Sequence, residues 1–329
     1  MDQQQHLSAS QAKPAQAKQL STEEQGQPAS VRFTGYLMIV GASLLFGFNG
    51  NISRLLFDNG VTPITLVEFR MLIGGLCLFI FLLVSWRKGL KLPRRQWGWI
   101  VLFGLALAMV TYTYFVAISR LPIAVALVIQ YSATAWMTIG EALWRRRIPP
   151  PAMLFALFLA LGGVILLTGV WRANLNGLDR IGLLYANLAL VTYILYLVLG
   201  RRVGRDLPSL TSTSYGALVA SIFWLCVQPP WHIPANTWEP QHLFLIVVVG
   251  ILGMALPFSL MLGALRRIDA TRAGIAATLE LVAAGVIAYF WLGQRLDLWQ
   301  ISGCVLVMIG ITALQYENLV THRSLAQGA

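Results

Sequence analysis

The sequence predicts an all-α integral membrane protein of ten transmembrane helices, arranged as two inverted five-helix repeats with both termini cytoplasmic. Three observations carry that expectation. The chain is 57% hydrophobic and only 11% charged, with a mean hydropathy of +0.69, whereas a soluble domain has about 45–50% and about 25%. Apolar stretches of about 20 residues recur along nearly its whole length. The chain also matches itself at an offset of 147 residues.

Taken in order, residues 1–31 are rich in Gln, Ala and Ser and lack periodic apolar positions, so they read as a disordered cytoplasmic tail. Spanning segments follow at about 33–55, 65–86, 97–118, 122–144 and 151–170, then at 180–199, 211–230, 242–265, 271–292 and 297–317. A helix rises 1.5 Å per residue, so about 20 residues cross about 30 Å of hydrocarbon. Helix is the form required, because lipid offers no partner to an unpaired backbone group. Pro122 marks the turn between the third and fourth segments. Arg266, Arg267 and Asp269 separate the eighth and ninth. The repeats then occupy 32–172 and 179–318, and 319–329 form a short cytoplasmic tail.

Charge orients the chain. With the N-terminus inside, the cytoplasmic connections hold eighteen of the 24 Lys and Arg residues, among them Arg87, Lys88, Lys91, Arg94 and Arg95 after segment two. The opposite side holds five, Arg54, Arg120, Arg172, Arg180 and Arg295, and Arg70 lies within segment two. This is the positive-inside distribution. It accounts for the net charge of +11 without a nucleic-acid partner, the basic residues facing anionic lipid instead. At the 147 offset, Gly35 falls on Gly182, Ala117 on Ala264, Arg120 on Arg267 and Gly163 on Gly310. An odd number of helices per repeat brings the second half in from the opposite side. That is an architecture associated with alternating access.

The stretch Leu279-Glu280-Leu281-Val282 through Leu292-Gly293-Gln294-Arg295-Leu296 resembles the L-E-P-V … L-G-E-R-L pattern of EamA-type transporters in the drug/metabolite transporter superfamily. Leu45-Phe46-Gly47-Phe48-Asn49, Glu68-Phe69-Arg70 and Ala117 through Pro122 add to the resemblance, which covers about 35–317. Leu281 stands where the family has Pro, and Gln294 where it has Glu. The missing Pro bears on whether segment nine is broken. The resemblance implies five plus five helices and a small organic metabolite, an amino acid or related amphipathic compound, as solute.

Glu280 is the sharpest candidate site residue. It lies nine residues into segment nine, roughly 14 Å down the axis, where an ionised carboxylate is costly and should face the bundle interior. A substrate-ammonium contact or a proton carrier is its functional reading; a packed neutral carboxyl is the bland one. Gln130, Tyr131, Asn49, Tyr112, Tyr193, Tyr196, Ser259 and Trp136 are the further substrate-binding candidates, polar or aromatic at membrane depth. The offset pairs Asn49 with Tyr196 and Tyr112 with Ser259, and sets Gln130 and Tyr131 just before Glu280. Glu141 reads as an i,i+4 ion pair with Arg145, and Arg70 as a snorkelling or helix-pairing residue.

No catalytic or metal-binding constellation occurs. His6, His232, His242 and His322 have no ligand spacing, and there is no phosphate loop, so no cofactor is implied. The expectation is a multi-pass cell-membrane protein and not an enzyme: a secondary-active exporter whose partners are a small-molecule solute and the bilayer. Monomer and homodimer remain open. The alternative is an intramembrane enzyme acting on a lipid-linked substrate, which needs acids or histidines grouped at one membrane face.

Overall fold

The computed structural model describes residues 29–121, 123–146, 149–170, 178–292 and 297–327. All regular structure among them is helical. In chain order the helices are α1 (Ala29–Asp58), α2 (Pro63–Ser85), α3 (Trp97–Arg120), α4 (Ile123–Tyr131), α5 (Ala133–Arg145), α6 (Pro151–Thr168), α7 (Arg180–Asp206), α8 (Ser209–Val227), α9 (Pro240–Gly250), α10 (Leu256–Leu265), α11 (Ala270–Ala277), α12 (Leu279–Leu292) and α13 (Leu298–Gln327). A π-helical segment, Ile251–Ala255, joins α9 to α10. Among the described residues, eight helical runs are long and apolar enough to cross a membrane, and Leu298–Ala313 is a shorter apolar stretch.

Local chemistry sets the boundaries. Gly60 adopts φ +83° after α1, a left-handed conformation that costs glycine little. Thr62 then caps α2, accepting the Thr65 N–H, and Pro63 occupies the first turn, where its missing N–H costs nothing. Leu121 is extended (φ −114°, ψ 157°), as a residue before proline prefers, and ends α3. Gly169 closes α6 at φ +60°. Asp179 caps α7 by accepting the Ile181 N–H at 3.0 Å. Its other oxygen accepts from Arg120 at 3.0 Å, and this hydrogen bond holds its carboxyl below the usual carboxylate range.

Both ends differ from the predicted tails. Helix α1 begins at Ala29, inside the expected 1–31 tail; the rest of that tail lies outside the described residues. Helix α13 runs to Gln327 through the expected 319–329 tail, because residues 311–327 contain no Gly or Pro. The predicted continuous segment 122–144 is instead two short helices with a turn at Ser132. Segment nine is likewise broken, at Thr278, without the family's proline. Both breaks use the same device: Ser132 Oγ donates to Ile129 O (2.6 Å) and Thr278 Oγ1 to Ile275 O (2.7 Å). Such i−3 bonds compete with the helical ladder and bend it.

Close packing follows the repeat. A Cβ on Gly35 would lie 3.1 Å from Arg267 Cβ and 3.2 Å from Ile268; on Gly182, 147 residues later, it would lie 3.1 Å from Arg120 Cβ and 2.8 Å from Leu121. Thus α1 packs on the end of α10 as α7 packs on the end of α3. Helices α6 and α13 meet through Gly163 against Gly303 and Gly310 against Ala156, again one contact stated twice under the shift. Helices α2 and α8 are tied by Gln228 to Thr65 (3.0 Å) at one end and by Ser214 to Gly75 O (3.3 Å) further along. In both pairs the contact numbers rise on one helix as they fall on the other, so the helices run antiparallel.

Candidate functional site

A cavity of about 90 Å³ lies where these helices converge. Phe46 and Asn49 of α1, Arg70 of α2, Val110, Thr111, Tyr114 and Phe115 of α3 and Leu127, Gln130 and Tyr131 of α4 line it from the first half of the chain. Tyr193 and Tyr196 of α7, Phe258 and Met261 of α10, Ala277 of α11 and Glu280 of α12 line it from the second. Ten of these residues form five pairs at the 147 offset: Phe46 and Tyr193, Asn49 and Tyr196, Thr111 and Phe258, Tyr114 and Met261, Gln130 and Ala277.

Six of the nine predicted site residues therefore converge on the cavity: Glu280, Gln130, Tyr131, Asn49, Tyr193 and Tyr196. The helix break at Thr278 places Glu280 one residue into a new helix. Its Oε2 accepts the Tyr131 hydroxyl at 2.9 Å, across the two halves of the chain. The Tyr131 hydroxyl also reaches Ala277 O at 3.4 Å, beside the same break. Rings wall the space: Tyr131 meets Tyr193 edge-on at 6.3 Å, Tyr193 stacks near Tyr196 at 6.4 Å, and Phe46 meets Phe258 edge-on at 5.0 Å.

The other three lie elsewhere. Tyr112 neighbours the cavity residue Thr111, but one residue turns a helix by about 100°. Its ring packs on Trp224 (4.7 Å) and Tyr185 (6.0 Å) instead. Ser259 is likewise one residue past Phe258, and its hydroxyl is spent on Ala255 O at 2.6 Å. Trp136 is 59% exposed on the outer surface; five and six residues past Tyr131 and Gln130, it lies about 120–140° round the helix from them. Glu141 accepts from Thr271 Oγ1 at 3.1 Å; the Arg145 side chain lies outside the described residues.

Arg70 is the residue that sequence reasoning misplaced. It is 2% exposed, with its guanidinium over the Phe115 ring at 5.2 Å and the Phe258 ring at 5.9 Å. Its Nη2 donates to Gly253 O at 2.6 Å. That acceptor has a definite origin. An α-helix would pair carbonyl 253 with the N–H of residue 257, but residue 257 is proline and has none. The π segment forms around the defect, and Gly253, with no side chain, lets Arg70 and Asn49 approach. Two sequence signals pointed here: a charged residue within an apolar segment, and Pro257 within another.

A membrane-embedded helical bundle enclosing a polar, aromatic cavity between two related halves defines a transport protein. The comparisons agree. The EamA-like transporter family matches residues 33–169 and again 180–315, and the chain belongs to that family. The chain is 26% identical over 289 residues to the threonine/homoserine exporter RhtA of Salmonella typhimurium, covering 87% of this chain and 91% of that one. It is 24% identical over 284 residues to the uncharacterized transporter YwfM of Bacillus subtilis, covering 84% and 92%. It is also 29% identical to the uncharacterized transporter YcbK of the same organism over 175 residues, 52% of this chain and only 54% of YcbK. A crystal structure of a protein with 19% sequence identity superposes with a TM-score of 0.73 over 90% of this chain and 99% of that one, a likeness of fold. The chain is thus a multi-pass membrane transporter and not an enzyme.

Proposed function

We propose that this protein is a secondary-active exporter of a small organic metabolite, an amino acid or related amphipathic solute, working by alternating access in the cell membrane. The observation that carries the reading is the cavity lined in matched pairs from both repeats. A pseudo-two-fold axis through such a cavity gives two equivalent ways for the halves to rock around a fixed site. The antiparallel packing of α2 on α8 and of α6 on α13, helices equivalent under the repeat, supports inversion of the halves. Ten crossings, with α4 and α5 together making one, and cytoplasmic termini then follow from the charge distribution. The breaks at Ser132 and Thr278 and the π segment all flank the cavity, where freed backbone is tolerated. They are places where the halves can flex without unfolding a whole helix.

The export direction and the solute class rest on the likeness to an exporter of threonine and homoserine. Counterflow in proteoliposomes tests the reading. Vesicles loaded with an unlabelled amino acid should accumulate the same labelled amino acid transiently, and protein-free vesicles should not. Absence of counterflow for all common amino acids and for amines and organic acids of similar size would refute it.

A further inference from the structure

The cavity is symmetric in shape and asymmetric in charge. Arg70 and Glu280 are the cation and the anion among its lining residues. Under the repeat, their equivalents are Ala217 and Ala133, both fully buried and apolar. The matched pairs are aromatic, aliphatic or neutral polar. Charge selection among solutes is therefore concentrated in these two residues, the charged members of the lining, which have no charged counterpart under the repeat.

The two charges share the cavity without touching. Neither belongs to an ion pair among the described residues. Each is held from the opposite half: Arg70 of the first half by Gly253 O of the second, and Glu280 of the second by the Tyr131 hydroxyl of the first. Phe115 and Phe258 hold the guanidinium further. These anchors keep the poles apart. Arg70 Nε, Asn49 Oδ1, Gln130 Oε1 and the Tyr196 hydroxyl are buried without a hydrogen-bond partner in the protein. A buried charge or polar group left uncompensated is costly, and a solute that compensates it recovers that cost on binding.

Resting on the transporter reading above, we infer that the cavity takes its solute as a dipolar ion, with a carboxylate on Arg70 and an ammonium on Glu280. Arg70 lines the cavity and keeps an unpartnered Nε–H on a planar guanidinium, a group suited to carboxylate. Glu280 receives the ammonium, and the amides of Asn49 and Gln130 provide further acceptors. The body of the solute lies along the rings of Phe46, Tyr193 and Tyr196. A monoamine satisfies Glu280 and faces Arg70 with like charge; a monocarboxylate does the reverse. Either leaves one buried pole uncompensated. The solute thereby joins the halves, with its negative end on the first and its positive end on the second. Arg70 is a specificity-determining residue of the site.

The test compares an amino acid with its own fragments. From the counterflow panel, the amino acid giving the largest signal is set against its decarboxylated amine and its deaminated acid as competitors. Both fragments are smaller than the parent, so a steric clash cannot account for their rejection. The parent should compete at least about tenfold better than either fragment, the ratio expected when one hydrogen-bonded charge is lost. A ratio below fivefold for either fragment, or counterflow carried only by monoions, overturns the inference while leaving the transporter reading intact. Loss of all counterflow refutes the transporter reading instead. In variants, Arg70→Met should reduce the parent-to-amine ratio to within twofold while keeping the parent-to-acid ratio. Glu280→Gln should do the converse. Ratios that shift equally in both variants overturn the assignment. If Arg70→Met fails to fold for want of a donor to Gly253 O, the wild-type panel decides by itself.

Discussion

Adjacent glycines on α6 should respond in opposite directions to the same substitution. A methyl group on Gly162 meets no atom within 4 Å, whereas on Gly163 it would sit 2.7 Å from Val307 Cγ2, 2.8 Å from Gly303 O and 2.9 Å from Val307 N. Two of those atoms are backbone of α13, so no rotamer change relieves the clash and the helices must separate. Replacing a helical glycine by alanine gains about 0.5–1 kcal/mol in conformational entropy and propensity. That gain is common to both sites and cancels in their difference. The remainder is the overpacking cost, about 1–3 kcal/mol. Gly162→Ala should therefore stabilise modestly, and Gly163→Ala should fall about 1–3 kcal/mol below it. Gly303→Ala should be worse still, since its methyl would lie 2.4 Å from Leu167 N, and Gly310→Ala milder, at 3.0 Å from Ala156 O. Thermal unfolding of the detergent-purified variants, with monodispersity as a second readout, gives the order. Gly163→Ala as stable as Gly162→Ala would show that α6 and α13 do not make this contact, and the self-matching interface would fall with it.

Three further outcomes are expected. Glu280→Gln keeps shape and hydrogen bonding but removes the charge, so it should retain expression and counterflow while flattening the pH dependence of flux; wild-type behaviour across pH would assign Glu280 to packing. Tyr131→Phe removes a 2.9 Å bond to that carboxylate, worth about 1.5–3 kcal/mol when the partner is charged. It should weaken apparent solute affinity about 10- to 100-fold, whereas Trp136→Ala, on the outer surface, should leave affinity within twofold; the opposite ranking in competition counterflow would displace the site. In a cysteine-free background, Lys91→Cys should resist an impermeant thiol reagent applied to intact cells and Arg120→Cys should react, and the reverse pattern would invert the proposed topology.

Much of this protein was legible in one dimension because lipid makes it so. A chain in hydrocarbon must satisfy its backbone within each segment, so segment length and apolarity identify the runs, and Pro122 marks the turn between two of them. The 147 offset was legible for a related reason: Gly35, Arg120 and Gly163 recur as Gly182, Arg267 and Gly310 because each pair makes the same close contact twice. The family was legible in the motif resemblance at Leu279 through Leu296, and six residues of the cavity in the polar and aromatic positions at membrane depth.

Tertiary structure decided the direction each side chain takes. One residue turns a helix by about 100°, so Thr111 and Phe258 enter the cavity while Tyr112 and Ser259, their neighbours, pack elsewhere. Neither helix break carries a proline: the hydroxyls of Ser132 and Thr278 bond to carbonyls three residues back instead. Arg70 is the clearest case. Its place depends on a carbonyl freed 183 residues away by Pro257, and no local pattern around Arg70 contains that acceptor. Sequence alone determined what must be buried from water; the assembled bundle determined which buried groups face one another.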